Sequence, residues 1–274
     1  MFKKAIIIGT GLIGGSLGLA MKKKKLAGTI VGFSRHLENA RLAKKRGAID
    51  CIGKNLGIVK DADLIILATP VKSIIEISSR IKDKINKNCI VIDVGSTKQV
   101  IVARLEPIIS NFVGCHPLAG SEKRGAANLG NDIFKDSICI LTPTPLTNLK
   151  ALNKIRVFWQ KLGAKVVLLT PEKHDRALAF TSHLPHAIAF SLISSIPDNF
   201  LSLSSKGLKD VTRISGSDSE LWVQIFLSNK QKLLTAINTF QKKISALKLA
   251  LKKNNTKLLT GIIKKANKQR EKLG

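Results

Sequence analysis

A short apolar, β-branched run, Lys4–Ile8, stops at Gly9-Thr10-Gly11-Leu12-Ile13-Gly14, and a helical pattern, Leu12–Lys25, starts inside that same string. Few backbones call for glycine at this spacing between a strand and a helix. The first glycine allows the tight turn, the second lets the backbone come close to a bound group, and the third lets the helix pack directly on the strand. The helix then points its free first-turn N–H groups over the turn, which favours an anion such as a pyrophosphate. Strand, glycine turn and helix in this order predict a Rossmann-like dinucleotide-binding domain, with Gly9, Gly11, Leu12, Ile13 and Gly14 at the cofactor. Thr69, directly after the strand-like run Ala62–Ala68, is placed with them as a cofactor contact.

The end of the second strand, Thr29–Phe33, bears on which dinucleotide is bound. An acid there would hold the ribose 2′-hydroxyl of NAD. The chain reads Gly32-Phe33-Ser34-Arg35-His36 instead. No carboxylate stands there to repel a 2′-phosphate, while Ser34 can donate a hydrogen bond and Arg35 a charged fork. This favours NADP over NAD. The alternative is that Arg35 is an exposed loop residue and NAD binds.

Strand-like and helical runs alternate from Lys4 to Thr170. They include strands near Asp50–Ile52 and at Asn88–Val94, Phe112–Cys115, Ser137–Thr142 and Lys165–Thr170, with helices such as Glu38–Arg46 and Leu146–Leu162 between. Such alternation predicts a parallel sheet covered on both faces. After Thr170-Pro171 only helical runs follow, notably Glu172–Ser195 and Ser219–Lys253. The fold class is therefore α/β, with a Rossmann-like dinucleotide-binding domain over residues 1–170 and an all-α domain over 171–274. Leu233, Ile237, Phe240, Ile244 and Leu247 recur at helical spacing, an apolar face suited either to a homodimer contact or to the core of a single chain.

Charge and cysteine content narrow the partners. The 274 residues carry 46 Lys+Arg against 18 Asp+Glu, a formal charge of +28. The excess is mostly Lys, scattered, with aromatics at 4%, whereas a nucleic-acid surface clusters Arg and interleaves aromatics. The densest basic run, Gln241–Gly274, holds one acid, Glu271, and reads as a solvated helix face, with weak binding of RNA or anionic lipid as the alternative. Cys51, Cys89, Cys115 and Cys139 lie far apart, which fits a reducing cytoplasm and neither a zinc ribbon nor a disulfide scaffold. No metal site is read. Lys3-Lys4 followed by apolar Ala5–Met21 imitates a signal peptide, but the stretch is short for a span and its glycines serve the turn. No other span is expected, and no membrane partner. Tyrosine is absent, which excludes any mechanism with a catalytic Tyr.

Four further segments carry polar groups that packing does not explain: Asp93-Val94-Gly95-Ser96-Thr97-Lys98, Gly114-Cys115-His116-Pro117-Leu118-Ala119-Gly120-Ser121-Glu122, Ser182-His183-Leu184-Pro185-His186, and Asp210-Val211-Thr212-Arg213-Ile214. The first two follow strands, where α/β folds place ligands. With the opening GTGLIGGSLGLA and the string DVTRISGSDSELW, they make the chain resemble, over essentially its whole length, the prephenate/arogenate dehydrogenases of tyrosine biosynthesis.

The resemblance implies an oxidative decarboxylation of prephenate to 4-hydroxyphenylpyruvate coupled to reduction of NADP or NAD, in a monofunctional enzyme that dimerises through its helical domain. The alternatives are arogenate as substrate, with NADP, or both substrates. The resemblance makes His116 the catalytic histidine that polarises the ring hydroxyl, with Ser96 hydrogen-bonding the same region. It makes Arg213 a fork for a substrate carboxylate, His186 a substrate contact ahead of His183, and Glu122 a gate pairing with Arg213. Plainer roles stand beside these: Ser96 as a helix N-cap, Arg213 paired with Asp210 or another nearby acid, the two helical histidines in core or capping positions, and Trp222 as pocket wall or core. No chorismate mutase segment is recognised ahead of the first strand, and no regulatory ACT domain is expected after the helices. A β-hydroxyacid dehydrogenase would use a second-domain lysine and has no need of GCHPLAG. A non-catalytic dinucleotide-binding regulator with a nucleic-acid-binding tail is the remote rival.

Overall fold

In the computed structural model, residues 1–119, 129, 130 and 132–273 are described. An eight-stranded sheet is built from β1 (Phe2–Ile8), β2 (Ala27–Phe33), β3 (Cys51–Ile52), β4 (Leu64–Leu67), β5 (Ile90–Asp93), β6 (Phe112–Leu118), β7 (Ile138–Leu141) and β8 (Lys165–Leu168), in the order β3-β2-β1-β4-β5-β6-β7-β8. Both faces of its central strands are buried. Ala5 and Ile7 of β1 pack with Leu64, Ile66, Ile90 and Ile92 on one face, and Ile6 and Ile8 with Ile65, Leu67 and Val91 on the other. That is why these strands are unbroken apolar runs rather than alternating ones.

Helices cover each face. α1 (Leu12–Lys23) and α5 (Leu149–Lys161) send Leu17, Met21, Phe158 and Trp159 to the first, while α3 (Val71–Ile81) and α4 (Gln99–Leu105) send Ile74, Ile81, Ile101 and Leu105 to the second. α2 (Leu37–Lys45) links β2 to β3.

The sheet is not parallel throughout. The six strands β1–β6 run parallel, but β7 pairs antiparallel with β6, and β8 runs with β7. β6 divides its pairing, with Phe112–Gly114 on β5 and Cys115–Leu118 on β7. It therefore runs past the expected end at Cys115 and carries His116 within the strand. Alternating elements do not encode strand direction, so sequence periodicity had no means to report the reversal.

The sheet ends at Thr170, which caps α6 (Pro171–Leu178) by accepting the Lys173 N–H, with Pro171 in the first turn. One turn of π-helix, Ala179–His183, joins α6 to α7 (Leu184–Ser194). The continuous run Pro171–Ser194 is long and apolar enough to cross a membrane by length and composition, contrary to the expectation of no further span. It also carries Glu172, Lys173, His174, Asp175 and Arg176, and its His174 and Asp175 are buried in hydrogen bonds. α8 (Lys206–Thr212) and α9 (Ser219–Ser228) follow. The helical stretch expected from Ser219 to Lys253 is interrupted at Asn229, which ends α9. The chain divides there into two compact units, Met1–Asn229 and Lys230–Gly274. The second consists of α10 (Lys230–Lys252) and α11 (Thr256–Glu271).

The glycine turn sits where strand order reverses, between β1 and its neighbours β2 and β4. Gly9 has φ +99°, and a side chain at Gly14 would place its Cβ 1.9 Å from the Gly9 carbonyl oxygen; Gly11 has nothing within 4 Å. Gly14→Ala is expected to cost about 1–3 kcal/mol of unfolding free energy through overpacking, and Gly11→Ala less than about 0.5 kcal/mol. Urea unfolding of the two variants beside the parent checks this contrast.

Candidate active site

The glycine turn fits a dinucleotide on structural grounds. α1 has Gly11 at its N-cap and no side chain capping its first turn, so its N–H groups remain available to an anion. The open space at Gly11 lets a bound group reach the backbone. The buried hydroxyls of Thr10 and Thr69, on the loops after β1 and β4, have no hydrogen-bond partner among the described residues. Ser34 and the exposed Arg35 follow β2 at the same end of the sheet.

The strand-end loops after β5 and the second half of β6 form the next layer. Asp93, at the end of β5, and Lys98 are both fully buried and make an ion pair. Asp93 also accepts the N–H groups of Gly95 at 2.8 Å and Cys115 at 3.3 Å, which ties the loop holding Ser96 to the strand holding His116. Thr97 donates to Ser228 of α9 at 3.1 Å. Ser96 is half-buried. It does not cap the next helix, for α4 starts at Gln99 with Lys98 in the cap position and no side-chain cap. Its expected plain role as an N-cap is thus corrected.

Two residues that sequence reading passed over complete this layer. His116 Nδ1 lies 2.8 Å from His174 Nε2, and His174 Nδ1 lies 2.8 Å from Asp175 Oδ1. Asp175 accepts the backbone N–H groups of Lys98 at 2.7 Å and Gln99 at 2.9 Å. Burial lowers the pKa of His116 well below the ordinary imidazole value, aided by His174 and the charge of Lys98, and burial lowers that of His174 too. Burial alone would raise the Asp175 carboxyl, but the hydrogen bonds from His174, Lys98 and Gln99 outweigh it and hold it low. In sequence, His174-Asp175 sits among Glu172, Lys173 and Arg176 and looks like a solvated first turn; only the tertiary contact marks it.

The remaining candidates lie on the helices after the sheet. His183 is buried in the π-turn, where Asn229 Nδ2 donates to its Nδ1 at 3.1 Å and to the Asp175 carbonyl at 2.7 Å. Its Nε2 therefore carries the hydrogen, and that buried atom has no partner among the described residues. His186 donates from Nδ1 to the Ser182 carbonyl at 2.9 Å, leaving Nε2 as an acceptor. Its ring stacks on Trp222 with centroids 3.5 Å apart, and Phe190 and Phe226 pack on the same indole. Burial lowers the His186 pKa, the hydrogen bond to Ser182 opposes this, and the charge of Arg213, at the start of the turn Arg213–Gly216, adds to the lowering. Glu122 lies outside the described residues.

Family models match nearly the whole chain: the nucleotide-binding domain of prephenate dehydrogenase over residues 17–168 and its dimerization domain over 170–265. The prephenate dehydrogenase of Bacillus subtilis is 32% identical over 279 residues, covering 98% of this chain and 75% of the relative. Among solved structures, the A. aeolicus prephenate dehydrogenase in complex with hydroxyphenyl propionate and NAD+ superposes with TM-score 0.94 at 32% identity, covering 100% of this chain and 99% of that one. The arogenate dehydrogenase of Synechocystis superposes with TM-score 0.85 at 28% identity, covering 99% and 100%.

The buried histidines have a consequence for acid stability. Burial pushes the His183 pKa from an ordinary 6.5 down to about 4. Between those values the unfolded chain binds the proton and the folded chain does not, so stability is full above the ordinary value and is lost as pH falls toward the lower one. The loss from His183 is roughly 3 kcal/mol, and His174 and His116 add loss of the same sign. Urea midpoints measured from neutral to acidic pH are expected to fall across this window, and less steeply in His183→Gln.

Proposed function

The chain belongs to the prephenate dehydrogenase family, and we propose that it oxidises and decarboxylates prephenate to 4-hydroxyphenylpyruvate, with reduction of NADP, in tyrosine biosynthesis. The observation that carries this reading is the geometry of His116, on the strand-end side of the sheet, where His174 engages its Nδ1 at 2.8 Å, Nε2 remains for a substrate, and burial disfavours the charged ring.

Gly9–Gly14 and the first turn of α1 hold the pyrophosphate, with Thr10 and Thr69 beside it. When bound, the nicotinamide supplies the acceptor for the hydride that leaves the hydroxyl-bearing ring carbon. His116 Nε2 accepts the hydroxyl proton as that carbon becomes a carbonyl. Loss of the ring carboxylate as carbon dioxide makes the ring aromatic and leaves a phenolate oxygen, which takes the proton back from His116. The proton is thus borrowed, not released. Ser96 hydrogen-bonds the same region of substrate, and Arg213 forks onto a substrate carboxylate, with His186 and His183 as further contacts. Glu122 keeps its role as a gate on the family resemblance alone.

Ser34 and Arg35 support NADP, since neither repels a 2′-phosphate and Arg35 is exposed to receive one. The same pair, with the likeness to the Synechocystis arogenate dehydrogenase, favours arogenate as the second reading. A homodimer agrees with the dimerization-domain match and with exposed Phe180, Phe200, Leu203, Val211, Val223 and Leu227 on the helices after the sheet. The four cysteines are free thiols, which suits the cytoplasm. The scattered lysines support neither a nucleic-acid nor a membrane partner.

An assay of prephenate or arogenate, each with NAD or NADP, followed by nicotinamide absorbance, is expected to give its highest kcat/KM with prephenate and NADP. Preference for arogenate would install the second reading, and no turnover in any combination would end both. His116→Asn is expected to lower kcat about 10²–10⁴-fold while cofactor binding persists. Arg35→Ala is expected to weaken NADP about 10–100-fold in a fluorescence titration and to leave NAD unchanged.

A further inference from the structure

We propose that His174 and Asp175 are positioning residues for the proton step: they fix the His116 imidazole in the tautomer whose Nε2 is bare, and they hold the positive charge that forms there. This rests on the reading of His116 as the base.

The tautomers follow from the far end of the chain of contacts. Asp175 is buried and accepts two backbone N–H groups, from Lys98 and Gln99, an arrangement that keeps a carboxylate ionised. An ionised carboxylate is an acceptor only, so the hydrogen between it and His174, 2.8 Å away, belongs to His174 Nδ1. A neutral imidazole carries one N–H, so His174 Nε2 is bare. That nitrogen lies 2.8 Å from His116 Nδ1, and the hydrogen between the two rings must therefore sit on His116 Nδ1. His116 Nε2 is left with its lone pair. Each link admits one assignment while both rings are neutral. Burial and the neighbouring Lys98 charge disfavour the charged form of both rings, and Asp93 and His183 are the other titratable groups facing the pair.

The same contacts act during the reaction. When Nε2 takes the hydroxyl proton, His116 becomes an imidazolium and its Nδ1–H bond to His174 becomes charge-assisted. The Asp175 carboxylate lies beyond, so His174 carries the influence of a negative charge to a ring the carboxylate does not touch. The charge needs to last only until the phenolate oxygen recovers its proton. The arrangement parallels the aspartate that orients and stabilises the histidine of a hydrolase triad, with one imidazole inserted between carboxylate and base.

Two measurements on the full-length protein test this. Long-range nitrogen–proton correlation NMR of the imidazole rings, with no ligand present, is expected to show His116 protonated at Nδ1 and bare at Nε2, and to show the reverse in Asp175→Asn. In kinetics, His174→Phe removes the acceptor and is expected to lower kcat about 10²–10³-fold with KM changed less than about threefold. His174→Gln places an amide oxygen where Nε2 stood and is expected to return kcat to within about tenfold of the parent. A His116 proton on Nε2 in the parent, or kcat unchanged in His174→Phe, overturns the proposal. Should the Phe variant not fold, the Gln variant and the ring tautomers decide. Absence of turnover in the parent would overturn the functional reading alone, since the tautomer is read without substrate.

Discussion

Asp175 accepts N–H groups from Lys98 and Gln99 where the β5 loop enters α4, and with the same carboxylate it binds the ring of its neighbour His174. Its backbone carbonyl receives the side chain of Asn229, at the far end of α9. The first helix after the sheet is thereby joined to the sheet's strand-end loops and to the last helix of its own unit. A buried carboxylate is costly unless its lone pairs are filled, and here three donors fill them. Removing the carboxylate would leave two backbone N–H groups and a histidine nitrogen unpaired together, so the site and the fold share one dependence.

A second buried charge organises the facing loop. The Lys98 ammonium and Asp93 carboxylate pair with no solvent contact, a geometry tolerated only when the remaining hydrogen-bonding capacity is used. Asp93 uses it on the N–H groups of Gly95 and Cys115. The carboxylate thus links the turn that presents Ser96 to the residue before His116. Gly95 and Gly114 allow the close packing: a Cβ on the first would meet Asp93 Oδ2 at 3.0 Å, and on the second the Thr142 hydroxyl at 2.5 Å.

Residues that act through their neighbours in the chain were legible. Gly9, Gly11 and Gly14 announced a turn and a cradle because their chemistry is that of the backbone at those positions. Lys4–Ile8 and Asn88–Val94 announced buried strands because both faces of a covered sheet are apolar. Thr170-Pro171 marked the change of architecture because only helical patterns follow it, while the Thr170 cap on the Lys173 N–H became visible in the structure. His116 and Arg213 were found through recurring strings, not through spacing. His174 and Asp175 were not found, since their partners lie 58 and 77 residues away and a polar helix start carries no mark of burial.

The strand–glycine–helix cradle, the alternation that builds a covered sheet, and the change to helices after Thr170 are written in the order of residues, because each follows from contacts within a few residues or from local periodicity. That β7 runs against β6, that the helical run breaks at Asn229, and that a carboxylate and a second imidazole stand behind His116 emerge only in the folded chain. Strand direction and buried hydrogen bonds depend on groups distant in the chain, and their geometry exists only once the chain has folded.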